Sequence, residues 1–377
     1  MSFELTDTHQ DIQKAAREFA EKEFDLDLAL ELEKERRFPK SIFEKACQLG
    51  FIGIDYPESY GGQSLGLFEN VLVIEEFTRK DSGIGISLSL ADMGSSIILK
   101  HGDEDQKKKF VIPVTKGKAT STVATLTPTL RKNGESFVPS IQANPDGYHI
   151  ERGETWVIHG SSAHTLILLC EDPDPEKSLC LIVEKDSKGL KVLGLKKMMG
   201  MRLSSIDEMA FDHVKIPRSH VILWNREGVD PLTTYRRIHR IKTSAQALGI
   251  AQGAFEQAMK HAREREQFGK KIVQFQGIQF MLAELYTLIE AARGLVYRAA
   301  RDYDVNAKEV ERNSSVAKLF ATDVAVRTTI DSIQIHGGVG LMREYSIERM
   351  FRDAKTIQSL EENNLVQKAL IARKIIQ

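Results

Sequence analysis

The sequence contains little cysteine and no long hydrophobic run. Its three cysteines, Cys47, Cys170 and Cys180, form no CxxC pair, which argues against a disulfide framework or a zinc site and favours a reducing compartment. No apolar stretch approaches the roughly 18 residues that a membrane-spanning helix requires, and the first ten residues are polar and acidic. We therefore predict a cytoplasmic protein that does not enter a membrane.

An excess of charge of either sign is also missing. The 52 lysines and arginines balance 53 aspartates and glutamates, for a formal charge of -1, so the overall charge favours neither nucleic acid nor an anionic membrane surface. The sequence has no GxxxxGK[ST] motif, no GxGxxG between a strand and a helix, and no HExxH. We predict no metal site, and a bound nucleotide would have to be held without these motifs.

Hydrophobic periodicity divides the chain into three regions. Apolar residues recur at helical spacing in residues 1–118, short β-rich runs with a period near two fill residues 119–224, and long helical patterns return in residues 225–377. The predicted fold is mainly α: an N-terminal helical domain, a barrel-like middle β domain and a C-terminal four-helix bundle. Periodicity alone does not distinguish a structural bundle from an enzyme.

Two C-terminal stretches could bind an anionic ligand. In "REREQFGKKIVQFQGIQF", residues 263–280, arginines and lysines alternate with Phe268 and two further phenylalanines; guanidinium groups bind phosphate, and aromatic rings can flank a planar group. In "IQIHGGVGLMREY", Gly337 and Gly338 would let backbone amides approach a ligand closely, next to Gln334. A solvated helix end and a helix C-cap are the alternative interpretations.

Two adjacent carboxylates, Glu361 and Glu362, precede the last amphipathic run. A helix N-terminus attracts acidic side chains, so both could be exposed first-turn anions. One of them could instead be a catalytic base.

Taken in order, several segments resemble the acyl-CoA dehydrogenase family. They are "YPESYGG", "GDEDQKKKFVIP", "MMGMRLSS" followed by "FDHVKIP", "REREQFGKKIVQFQGIQF", "QIHGGVGLMREYSIERMFRDAK" and "VQKALIARKII", and they span nearly the whole chain. The resemblance implies a fold of helical, β and four-helix domains, usually assembled as a tetramer. It also implies α,β-dehydrogenation of an acyl-CoA thioester, with a glutamate as base, hydride transfer to N5 of FAD and reoxidation by an electron-transfer flavoprotein.

The resemblance assigns roles to individual residues. Glu361 lies at the position of the family's base, and Glu362 replaces a glycine, which puts a second charge beside the base; like charges tend to raise one pKa of such a pair. Arg240 falls where the family keeps an arginine close to that base. His239 falls where some members carry the base instead. Because a histidine stands at this position, that alternative base is absent here. Contacts to the FAD diphosphate of a neighbouring subunit are implied for Arg265, with Phe268 beside it, and Gln334.

Other positions depart from the family pattern. Trp156 keeps the aromatic side chain that packs on the flavin, but hydrogen-bonding residues for the flavin are replaced by Leu126, Lys132 and Ile158. After the base, Asn363 replaces a threonine that contacts FAD. The contacts for a neighbour's diphosphate are thus kept, while those for the chain's own flavin are largely lost.

These departures leave alternatives open. The chain could be a self-sufficient homo-oligomeric enzyme, because each lost hydrogen bond is worth only about 1 kcal/mol. It could instead be a flavin-poor subunit of a hetero-oligomer that completes the FAD site of a homologous partner. A non-catalytic acyl-CoA-binding protein is a third possibility. The identity of the acyl group is not encoded in any motif.

Overall fold

The computed structural model describes residues 5–126, 129–130, 136–137, 139–171, 178–224, 228–360 and 362–376. The first part of the chain is helical, as predicted. Its helices are α1 (Asp7–Glu23), α2 (Leu26–Glu35), α3 (Lys40–Gln48), α4 (Leu67–Lys80), α5 (Ser82–Ser89), α6 (Ser95–His101), α7 (Glu104–Phe110) and α8 (Ile112–Thr115).

Polar side chains fix where several of these helices begin. Thr6 caps α1 in a capping box with His9, and Asp25 caps α2. Helix α4 is capped from a distance: the Asp304 carboxylate accepts the backbone N–H groups of Leu67 at 2.8 Å and Phe68 at 3.0 Å. This last cap ties the N-terminal helices to the C-terminal bundle.

The middle of the chain forms strands. They are β1 (Ser121–Leu126), β2 (Thr129–Leu130), β3 (Ser136–Phe137), β4 (Ser140–Asn144), β5 (Gly147–Ile158), β6 (Thr165–Glu171), β7 (Ser178–Glu184), β8 (Leu190–Leu195), β9 (Ile206–Pro217) and β10 (Val221–Trp224). Two four-stranded sheets, ordered β1-β6-β7-β10 and β4-β5-β9-β8, share one apolar core. The strands β1 and β6 pair in parallel, with Ser121 opposite Thr165. In the described residues these sheets stay separate and close no barrel, which refines the predicted barrel-like domain.

The C-terminal part is a bundle of long helices. Its elements are α9 (Pro231–Glu264), a short hairpin of β11 (Glu266–Gln267) and β12 (Lys270–Lys271), α10 (Gln276–Asp304), α11 (Val310–His336), α12 (Ser346–Ser359) and α13 (Asn364–Ile376). Asp230 caps α9, and Pro231 occupies its first turn, where a missing N–H costs nothing. No helix in the described part of the chain combines the length and apolarity needed to cross a membrane.

The two helical regions pack around a common core. Helix α4 is buried along almost its whole length and lies against α9, and glycines in α9 permit the close approach. A Cβ atom at Gly249 would collide with the Thr78 hydroxyl, and one at Gly253 with the Arg79 carbonyl. The long helix α9 is thereby fixed against its neighbours, and it carries both Arg240 and Arg265.

Candidate active site

The turn after α12 brings Glu362 against two arginines of α9. Arg240 donates to Glu362 Oε2 from Nε at 2.7 Å, and its Nη2 lies 2.6 Å from the same oxygen. Arg236 Nε lies 3.0 Å from Glu362 Oε1. Both oxygens of the Glu362 carboxylate are therefore engaged by guanidinium groups. Glu361 lies outside the described residues.

Arg240 is held from a second side by Glu311 of α11. Its Nη1 donates to Glu311 Oε1 at 2.6 Å, and Arg237 Nε donates to the other oxygen at 2.8 Å. Arg240 is only 3% exposed, so its charge is neutralised inside the protein rather than by water. Burial works to raise the pKa of Glu311, but the hydrogen bonds from Arg237 and Arg240 outweigh it and hold that pKa below its ordinary value.

A buried lysine holds the backbone of the same turn. Lys318 Nζ donates at 3.0 Å to three acceptors: the carbonyls of Gln358 and Glu362 and the side-chain oxygen of Asn364. The lysine thus joins the end of α12 to the start of α13. Asn363 is exposed, and its side-chain oxygen accepts the N–H groups of Leu365 at 3.0 Å and of the next residue at 3.2 Å.

His239 stands next to Arg240 in α9. It is buried, its ring stacks on Tyr235 with centroids 5.4 Å apart, and Nε2 lies 3.4 Å from the Thr243 hydroxyl. Both of these neighbours also belong to α9.

The β-domain positions predicted to face the flavin differ in exposure. Leu126, at the end of β1, is buried in the core between the two sheets, and Ile158, at the end of β5, is buried in the main core. Trp156 is 63% exposed, with Lys196 Nζ 4.9 Å above its ring. Lys132 lies outside the described residues. Leu126 and Ile158 fill hydrophobic space and offer no side-chain hydrogen bond.

The residues predicted to bind a diphosphate lie together at the far end of α9. Arg265 ends this helix, Phe268 sits at the tip of the hairpin with φ +53° and 93% of its surface exposed, and Gln334 is exposed on the last turn of α11. The rings of His261 and His336 stack with centroids 4.6 Å apart. This contact holds the ends of α9 and α11 side by side.

The glycine turn after α11 is open. Gly337 has φ +65°, and a Cβ atom built at either Gly337 or Gly338 would meet no atom within 4 Å. Arg240 and Arg265 are 25 positions apart on one helix, which at 1.5 Å per residue separates them by about 37 Å. Arg265, which is predicted to bind a diphosphate, is therefore far from the Glu362 turn of the same chain.

Comparison with known proteins decides the family. The N-terminal domain of acyl-CoA dehydrogenases matches residues 6–118, and their C-terminal domain matches residues 228–376. The chain belongs to the acyl-CoA dehydrogenase family. This confirms the predicted resemblance, the fold class and the assignment as an oxidoreductase.

Relatives of this acyl-CoA dehydrogenase family member include reductases. This chain is 33% identical over 379 residues to the 3-(aryl)acrylate reductase of Clostridium sporogenes, and the alignment covers 99% of this chain and 100% of the relative. It is 30% identical over 377 residues to subunit CarC of the caffeyl-CoA reductase-Etf complex of Acetobacterium woodii, covering 97% of each chain. The solved butyryl-CoA dehydrogenase of Megasphaera elsdenii, 30% identical, matches 100% of both chains with a TM-score of 0.91.

Family membership implies FAD. The residues at the predicted diphosphate end suit this cofactor better than those at the predicted flavin end. The glycine turn has open space at Gly337 and Gly338, and Arg265 beside the exposed Phe268 supplies a cation that can bind a phosphate and an aromatic surface. On the flavin side, Trp156 offers an exposed aromatic surface, while Leu126 and Ile158 supply no polar contact. Among the described residues no group of three or more His, Cys, Asp or Glu could hold a metal ion.

Four residues of the charged cluster around Arg240 were not predicted from the sequence: Arg236, Arg237, Glu311 and Lys318. The spacing of Arg236 and Arg240, four positions apart, could have shown that both lie on one face of a helix. Glu311 is half-buried in the first turn of α11 and Lys318 is buried in the interior of that helix, and nothing in the sequence predicts the burial of either charge. Their role follows only from how α9, α11 and the turn after α12 pack.

Proposed function

We propose that the chain catalyses α,β-dehydrogenation of an acyl-CoA thioester, or its reversal, with Glu361 as the base. Bound FAD would supply the two-electron acceptor, and an electron-transfer flavoprotein would exchange electrons with it. The role of electron-transfer flavoprotein is supported by similarity to a subunit of a reductase-Etf complex. Membership of the acyl-CoA dehydrogenase family and its oxidoreductase chemistry support the reaction, and the role of Glu361 is proposed in addition.

The observation that supports Glu361 most directly is the engagement of Glu362. Both oxygens of its carboxylate are occupied by the guanidinium groups of Arg240 and Arg236, so neither is free to contact a substrate. Of the adjacent pair, Glu361 is then the residue available to remove the α proton.

The test is the Glu361→Gln substitution in the full-length protein. We expect turnover with an artificial electron acceptor to fall by about 10²–10⁴-fold, the usual contribution of a general base, while FAD content and melting temperature stay unchanged. A panel of acyl-CoA and enoyl-CoA thioesters, followed by flavin absorbance, identifies the substrate and the favoured direction. Normal activity of the variant would remove Glu361 from the mechanism.

A second candidate function is a subunit that completes the FAD site of a homologous partner. Two observations favour it: Leu126 and Ile158 are packed into hydrophobic cores, and Arg265 and Phe268 lie on the surface about 37 Å along the helix from Arg240. These residues would then act on FAD bound mainly by the other chain.

Expression of the chain alone separates the two candidates. A partner-completing subunit would purify colourless, and co-expression with a homologous chain would give about one FAD per two chains, a content that Arg265→Ala would lower. A lone chain that purifies with one FAD per subunit would refute this second function. In that self-sufficient enzyme, Arg265→Ala would lower the FAD content of the homo-oligomer itself.

A further inference from the structure

A cleft of about 910 Å³ separates the start of α3 from the ends of strands in the β domain. Its volume is in the usual range for small-molecule sites. No residue matched above to FAD or to the base lines it. The lining residues that could contact a ligand are Lys40, Ser41, Lys118, His159, His164 and Lys185.

The cleft is strongly basic. Three lysines and two arginines line it against one acidic residue, Glu44. Lys118 and Lys185 form no ion pair in the described part of the chain, and Lys40 Nζ is 3.8 Å from Glu44. Burial lowers the pKa of His164 below its ordinary value, and the charges of Lys185 and Lys40 lower it further. These positive charges therefore lie close to the His164 ring.

Helix α3 begins at this cleft without a cap. Pro39 occupies the N-cap position, and no side chain accepts from the N–H groups of the first turn. The Lys40 N–H donates to the Phe38 carbonyl at 2.8 Å. Since Pro39, Lys40 and Ser41 line the cleft, the positive end of the helix dipole and the other N–H groups of the first turn are available to an anion there.

His159 gives the second, independent sign of a ligand. It is 3% exposed, lines the cleft and packs edge-on against Phe38 at 5.3 Å, yet neither of its ring nitrogens has a hydrogen-bond partner. Burial lowers its pKa to about 4, so the ring is neutral, with one donor and one acceptor unused. Buried polar groups in folded proteins nearly always have a hydrogen-bond partner, and a ligand in the cleft could supply one.

We propose that this cleft binds a small organic molecule that carries a phosphate or pyrophosphate group. The phosphate oxygens accept from Lys40, Lys118 and Lys185 and from the first turn of α3. Another oxygen of the same phosphate or pyrophosphate group lies against the ring of His159. The site is separate from the acyl-CoA dehydrogenase chemistry proposed above, and it does not depend on that proposal.

Isothermal titration of the full-length protein with inorganic pyrophosphate tests the anionic part. We expect saturable binding that the double variant Lys118→Glu/Lys185→Glu weakens at least about tenfold, since it reverses two of the three lysine charges that line the cleft. The control Lys14→Glu/Lys308→Glu changes two exposed lysines outside the cleft and the net charge by the same amount, and it should retain affinity. Equal losses in both variants, or no saturable binding to the unaltered protein, would overturn the proposal.

The substitution His159→Phe tests the role of the buried ring. It keeps an aromatic ring in the same place and removes both nitrogens, so pyrophosphate affinity should fall about tenfold or more if the ring contacts the bound anion. The melting temperature of the ligand-free protein measures separately the strain of a phenylalanine held at φ +58°. Because His tolerates a positive φ and His159 has φ +58°, unchanged affinity would mean that the residue serves the backbone only, and that part of the proposal would be wrong. If His159→Phe does not fold, the exposed lysine variants decide the anion site alone.

Discussion

The paired arginines around Glu362 make the substitution Glu362→Gln informative. Glutamine keeps the size of the side chain and can still accept hydrogen bonds, but it removes the negative charge between Arg236 and Arg240. Arg240 is buried and would keep only Glu311 as a counter-ion. We therefore expect a loss of stability from a residue next to the proposed base, rather than a loss of chemistry.

The size of the effect follows from the exposure of each partner. Hydrogen bonds to charged groups are worth about 1.5–3 kcal/mol, and the Arg240 contacts at 2.6 and 2.7 Å belong to this class. The side chain of Arg236 is 42% exposed, so its contact adds at most about 1 kcal/mol. We expect Glu362→Gln to lower the free energy of unfolding by about 2–3 kcal/mol.

Urea unfolding followed by circular dichroism measures this difference at pH 7, from the shift of the midpoint at constant slope. A matched control is Glu31→Gln, since Glu31 pairs with Arg37 at 3.0 Å but both side chains are 58% exposed; it should change stability by less than about 1 kcal/mol. Equal small shifts in both variants would refute the claim that the Glu362 pairs are structural.

Other buried groups give three further predictions. Lys242→Met should destabilise the protein by about 3–5 kcal/mol, because it leaves Asp92, 2.9 Å from Lys242 Nζ, buried and uncompensated; thermal unfolding should show the loss, and an added Asp92→Leu should recover part of it. Gly249→Ala should lower the melting temperature, whereas Gly294→Ala, with open space at its Cβ, should not. Stability should decline as pH falls from 6.5 toward 4, because the folded-state pKa of His159 is about 4 against an ordinary 6.5; the decline should be shallower in His159→Phe.

These three predictions can each fail in a definite way. If Lys242→Met unfolds like the unaltered protein, the buried pair contributes nothing. If both alanine variants behave alike, the contact of α4 with α9 does not depend on the missing Cβ at Gly249. If His159→Phe has the same pH dependence as the unaltered protein between pH 4 and 6.5, the decline comes from other groups.

Much of the fold was predictable from the sequence because it rests on local patterns. Helical spacing of apolar residues and the change to a period of two place the helices and strands correctly, and Asp230 before Pro231 marks the start of α9. The arrangement of two separate sheets was not predictable, because the order β4-β5-β9-β8 joins strands that are far apart in the chain. The boundaries at residues 118 and 224 stay predictions.

The site was predictable only where the family pattern reaches it. Arg240 and the Glu361 position came from that pattern, and the structure places Arg240 on Glu362, one residue further along. Lys318 could not be predicted, because its role depends on the packing of α11 against a turn more than forty residues away. The roles of Arg265, Phe268 and Gln334 depend on a second chain, so neither the sequence nor one chain's structure tests them.

The charge count at the turn explains how a glutamate can replace glycine beside the proposed base. An isolated second carboxylate would repel the base and raise one pKa of the pair. Here Arg236, Arg237 and Arg240 contribute three positive charges against the two negative charges of Glu311 and Glu362, which leaves one positive charge in the cluster. The Glu362 charge is therefore balanced by arginines of its own cluster, which offsets the repulsion that an unpaired second carboxylate would exert on a neighbouring base. A base must be ionised to accept a proton, so the replacement of glycine by Glu362 is compatible with catalysis as long as the arginines are present. Replacing Arg236 would remove that net positive charge. We therefore expect Arg236→Gln to move the acidic limb of the pH–rate profile to higher pH.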